Sequence, residues 1–78
     1  MGTVVIIIPA YEPDNRLIKL LTDLHKNTIF PIVIVNDGSE SKYDIYFNSA
    51  ENEYDATVLK HSVNQGKGQA LKTAFEYC

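Results

Sequence analysis

The chain has 78 residues, with 7 Lys and Arg against 10 Asp and Glu, a formal net charge of −3 and a pI near 5.1. With 45% hydrophobic and 22% charged residues it has globular composition, which excludes intrinsically disordered, collagen-like and low-complexity classes. The scattered basic residues argue against a nucleic-acid or anionic-membrane partner, and the one cysteine, Cys78, permits no internal disulfide and no cysteine-built zinc site. The apolar run from Val4 to Ile8 is far below the roughly 20 residues of a membrane span, and Met1 lacks a basic flank and cleavage site, so the chain reads as cytoplasmic with no membrane segment.

In chain order, the β-branched run Thr3 to Ile8, closed by Pro9, predicts a first strand buried on both faces, as in a parallel sheet. Asp14 then stands as a helix cap before Leu17, Leu20, Leu21 and Leu24, spaced i, i+3, i+4, i+7, with His25 and Lys26 in the last turn. Residues 31–35 repeat the buried-strand pattern and end in the turn signal Asn36, Asp37, Gly38, Ser39. Ser41 with Asp44 resembles a capping box for a second helix carrying Tyr43, Tyr46, Phe47 and Ala50. Residues 56–59 form a short third strand. After the loop 61–68, Leu71, Ala74, Phe75 and Cys78 mark the apolar face of a third helix.

The order βαβαβα predicts an α/β fold, a three-layer open parallel sheet with right-handed crossovers, whose ligands sit beyond the carboxyl ends of the strands. The three loops on that rim carry the unusual residues. Gly66, Lys67 and Gly68 stand where a helix begins, so free N–H groups, the helix dipole and one lysine suit a phosphate. Neither a Walker A loop nor G-x-G-x-x-G after the first strand is present, and the glycines taken alone serve equally to shape a loop. Asp37 can accept hydrogen bonds from a base or ribose, or act as a turn residue. Its removal is expected to weaken nucleotide binding by about 1.5–3 kcal/mol and to leave folding nearly unchanged. Ala10 leaves room for a ring, Tyr11 offers an apolar face with a hydroxyl, and Glu12 accepts hydrogen bonds; core packing and a solvated side chain are the plainer roles of the last two. His61 reads as a hydrogen-bonded structural residue with no catalytic partner at recognisable spacing.

Together, Pro9, Ala10, Tyr11 and Glu12, then Asn36, Asp37, Gly38 and Ser39, then Asn64, Gly66, Lys67, Gly68 and Ala70 resemble the N-terminal half of a family 2 glycosyltransferase of GT-A fold, of the dolichyl-phosphate mannose or glucose synthase type. The resemblance implies that Pro9, Ala10, Tyr11 and Glu12 line a nucleoside pocket, that Asp37 bonds the base, and that Gly66 and Lys67 border the phosphates of a UDP- or GDP-linked sugar. It also implies Mg²⁺ or Mn²⁺ in the complete enzyme, held by a D-x-D motif at the end of a fourth strand. No such motif lies in these 78 residues, so the expectation is a single truncated nucleotide-sugar-binding domain, inactive alone and binding no metal by itself. The alternatives are a nucleotidyltransferase-like α/β fragment and a non-catalytic interaction module. In the resembling fold the fourth strand pairs beside the first, so without it the run Thr3 to Ile8 is expected to form a homo-oligomer by edge pairing.

Overall fold

The computed structural model describes residues 4–78 and comprises β1 (Ile6–Ala10), α1 (Asn15–Asn27), β2 (Ile32–Asp37), a 3-10 turn (Ser41–Tyr43), α2 (Asp44–Tyr54), β3 (Thr57–His61) and α3 (Lys67–Tyr77). The strands form one parallel sheet in the order β1-β2-β3, with Ile6 opposite Ile32, and with Val33 opposite Thr57 across the second pair. β2 is central, and all six of its residues are buried.

Alternation along the strands divides the core in two. Ile32 and Ile34, with Ile6, Ile8, Ala10 and Val58, face α1 and α2 through Leu17, Leu21, Phe47 and Ala50. Val33 and Val35, with Val5, Ile7 and Leu59, face Ala70 and Ala74 of α3 on the opposite side. The expected three-layer α/β architecture is therefore observed. α1 and α2 pack together on one face, where Thr22 Oγ1 and Tyr54 OH lie 2.8 Å apart, while α3 lies across β2 and β1 on the other. The chain must accordingly pass from β3 over the carboxyl end of β2 to reach α3, and that crossing brings the third loop onto the second.

Several details depart from expectation. The first strand is Ile6–Ala10 and runs through Pro9, because Ile6 N–H donates to Pro31 O (2.9 Å) and backbone alternation then turns the nitrogens of Ile7 and Pro9 to the open edge, where a missing N–H breaks no ladder bond. Its residues are half-buried, since an edge strand has a neighbour on one side only. Thr3, part of the expected strand, lies outside the described residues. β2 extends to Asp37, two residues beyond its expected end at Val35 and into the expected turn. Asp14 caps α1 as expected, its Oδ1 accepting from Arg16 N at 2.9 Å. Leu20 is exposed, and Ile18 packs against the core in its place. Ser41 opens a 3-10 turn instead of a capping box, and no side chain caps α2. On α3, Leu71 is half-buried while Phe75 and Cys78 are exposed; Ala70 and Ala74, i and i+4, face the valines because their small size permits close helix–sheet approach. Among the described residues no helix is long and apolar enough to cross a membrane.

Candidate functional site

A cleft of about 460 Å³ opens at the carboxyl ends of the strands, lined by Pro9, Ala10, Tyr11, Asp37, Asn64, Gly66 and Lys67. That volume lies in the range of small-ligand sites. Six of the seven residues nominated from the sequence meet there, drawn from three loops far apart in the chain. Glu12, the seventh, borders a neighbouring concavity with Pro13 and Asp14.

The loops are tied to one another by hydrogen bonds. Asn36, 1% exposed, points Oδ1 at Ser39 N (3.0 Å) and so closes the turn after β2. Ser39 Oγ then accepts from Glu12 N (2.8 Å), pinning the first loop where Glu12 adopts the left-handed φ of +48°. Such a conformation is costly for a residue with a Cβ and persists only where its surroundings hold it.

Asp37 ties the second loop to the third. Its Oδ1 accepts from Gln65 N at 2.9 Å and lies 2.7 Å from His61 Nδ1. Its Oδ2 accepts from Gly66 N at 2.9 Å and from Asn64 Nδ2 at 3.2 Å. The carboxylate's four lone-pair sites are thus all engaged. The hydrogen bond from His61 holds the Asp37 carboxyl below its usual range, the Gln65 and Gly66 amides add to this, and burial opposes it. The expectation that folding is indifferent to Asp37 therefore does not hold: the side chain is 5% exposed and organises the loop. His61, 8% exposed, also places Nε2 2.7 Å from Thr73 Oγ1 on α3. Since Nδ1 faces an ionised carboxylate it carries the proton, and in the neutral ring Nε2 accepts from the Thr73 hydroxyl. His61 is a hydrogen-bonded structural residue as read from the sequence, but its partner sits directly across the β2–β3 register.

Gly66 precedes α3 with φ +92° and offers no side-chain cap, so the first-turn N–H groups of α3 and Lys67 border the cleft together. Tyr11, half exposed, has its hydroxyl pushed up by the Glu12 carboxylate first and by desolvation next, which keeps it a neutral donor. Among the described residues no three acidic, histidine or cysteine side chains converge to hold a metal ion, and Asp37 is saturated by N–H donors. These residues do not fit the Mg²⁺ or Mn²⁺ that the resemblance implies for a complete enzyme, and no step is assigned to a cation here. The residues sequence reasoning left without a role in the site are Asn36, Ser39, Asn64 and Thr73.

The model of the glycosyl transferase family 2 matches residues 5–78. A Trichomonas vaginalis (strain ATCC PRA-98 / G3) protein described as dolichyl-phosphate beta-glucosyltransferase ALG5A is 33% identical over 78 residues, covering 86% of this chain and 24% of its own length. The chain thus spans about a quarter of the length of that curated relative. No solved structure matches it.

Proposed function

This chain belongs to glycosyltransferase family 2, and from that premise we propose that its cleft receives the nucleoside diphosphate of a UDP- or GDP-linked hexose, which the whole protein transfers to a lipid phosphate or glycan acceptor. The observation that carries the reading is the meeting of Pro9, Ala10, Tyr11, Asp37, Gly66 and Lys67 in one cleft at the strand ends. Tyr11 and the Pro9–Ala10 backbone form a wall for the nucleoside, and the α3 N-terminus with Lys67 faces the phosphates. Asp37 reads the base by exchange: its longest bond, from Asn64 Nδ2 at 3.2 Å, gives way to an N–H of the base. The family match sets aside the nucleotidyltransferase alternative.

Titration of the chain with UDP, GDP and ATP, followed by amide chemical shifts, tests the site. UDP or GDP is expected to shift Tyr11, Asn64, Gly66 and Lys67 together. Silence with all three nucleotides would make the chain a non-catalytic module.

The open edge of β1 supports a second element of the proposal, pairing with another copy. Among β1 residues, only Ile7 directs an N–H to that edge, and Pro9 ends the donor row, so the pairing segment is short and centred on Ile7. Amide exchange at Ile7 is expected to slow as concentration rises, in step with a sedimentation shift toward dimer. A monomer with concentration-independent exchange at Ile7 would remove this part of the reading.

A further inference from the structure

We propose that His61 and Thr73 are positioning residues for the donor diphosphate: through Asp37 they set the loop Asn64–Gly66 and the start of α3 before any nucleotide arrives. The proposal deepens the reading of the cleft as a donor site and rests on it.

Three elements converge on the His61 ring. Asp37 ends β2, His61 ends β3, and Thr73 stands on α3, six residues beyond Lys67, or about 9 Å along the helix axis. Thr73 Oγ1, His61 and the Asp37 carboxylate form one row, buried at Asp37 and His61 and half-buried at Thr73, each bond in it 2.7 Å long. The same carboxylate holds the Gln65 and Gly66 amides at 2.9 Å, Gln65 on the oxygen that faces His61 and Gly66 on the other. The row therefore fixes α3 at two places, at Thr73 by its side chain and at Gly66 through the loop. A helix held at both points presents its first-turn N–H groups and Lys67 to the cleft in one orientation.

The sequence around the loop makes such a clamp necessary. Gly66 and Gly68 flank Lys67, residues 62–65 are exposed, and Gly66 supplies no capping side chain. Left to itself, a glycine-flanked loop samples many conformations, and ordering it on binding would weaken affinity. Asp37 supplies the acceptors, but a carboxylate with one rotatable bond to its acid group needs a partner to hold its plane. His61 provides it from across the strand register, and Thr73 fixes the ring by its second nitrogen. Asp37 and His61 touch no phosphate in this arrangement; they act through the loop.

The test uses the 78-residue chain with His61→Ala, His61→Asn and Thr73→Val, and two readouts. The first needs no ligand: amide exchange at Gln65 and Gly66 is expected to accelerate at least tenfold in His61→Ala, relative to Ile34 and Val35 in the core. The second is the ratio of UDP to uridine affinity, with GDP and guanosine run in parallel. His61→Ala is expected to lower that ratio about tenfold, because Gly66 and Lys67 face the diphosphate alone, whereas any loss of base reading at Asp37 weakens UDP and uridine alike and cancels in the ratio. Thr73→Val is expected to give a smaller fall. His61→Asn, whose amide nitrogen reaches toward the same Asp37 oxygen, is expected to restore most of the loss, which a general destabilisation would not allow. Unchanged loop exchange in a folded His61→Ala chain, or a nucleotide ratio equal to the parent's, overturns the proposal. If the parent chain binds neither nucleotide, the donor-site reading falls, and the exchange at Gln65 and Gly66 alone decides whether His61 positions the loop. Should His61→Ala not fold, Thr73→Val, which preserves side-chain shape, carries both readouts.

Discussion

Asp37→Ala is expected to leave the chain largely unfolded at 25 °C. The substitution removes the acceptor for four donors at once and strands His61 Nδ1, which is buried, without a partner. Each buried donor left without its acceptor costs about 1–3 kcal/mol, so stranding several together costs about 3–5 kcal/mol. A core in a chain this short supplies roughly 3–5 kcal/mol in total, so the loss equals most of the stability available. Urea titration by circular dichroism would measure it, and a variant within about 1 kcal/mol of the parent would contradict it. Acid offers an independent check. The Asp37 carboxyl is held below its usual range in the folded chain, so its contribution is complete above the unfolded value of about 3.9 and is lost as pH falls below that through the lower folded value. Asp37→Asn keeps the shape but turns an amide NH₂ toward N–H donors. It is expected to be nearly as unstable as Asp37→Ala and to lack the parent's loss of stability below about pH 4.

What could be read in advance follows from which signals are local. β2 was legible because consecutive buried β-branched residues have few alternatives to a central parallel strand, and the α1 cap because Asp14 acts on its own chain neighbour. The α3 face was legible at Ala74 but not at Ala70, because hydrophobic size selects Leu71 and Phe75, whereas the sheet admits Ala70 and Ala74 for their smallness. The Asp37–His61 bond spans 24 positions and has no periodic signature. It becomes visible only when the ends of β2 and β3 are set in register, where the two residues stand opposite each other. Likewise the rim residues of the cleft were found because each stands at the carboxyl end of a strand or in the loop after it, but Asp37's engagement by the third loop depends on α3 crossing to the opposite face. Helix side is not encoded in any one segment.

Gly38→Ala is expected to destabilise the chain by about 3 kcal/mol and to abolish nucleotide binding. Gly38 has φ +79°, and a Cβ added there would overlap Asn64 N and the carbonyl carbon of Val63 while meeting Val63 O at 2.8 Å. All three are backbone atoms, so no side-chain rotation relieves the contact. The turn cannot retreat either, since Gly38 N donates to Asn36 O at 2.9 Å and the Asn36 side chain, almost fully buried, holds Ser39 N at 3.0 Å. Left-handed backbone costs a residue with a Cβ about 1–2 kcal/mol, and overpacking adds about 1–3 kcal/mol. The less costly relaxation moves the third loop outward, which stretches the bonds from Gln65 and Gly66 to Asp37 and displaces the start of α3 from the cleft. Gly68→Ala is the matching control. Gly68 lies in the first turn of α3 with nothing within 4 Å of its added Cβ and no positive φ, so alanine there is expected to stabilise by about 0.5 kcal/mol through helix propensity. Opposite signs for the two glycine substitutions in urea unfolding would show that the second and third loops are in van der Waals contact at Gly38. A Gly38→Ala chain as stable as the parent would mean that the third loop does not lie over the end of β2.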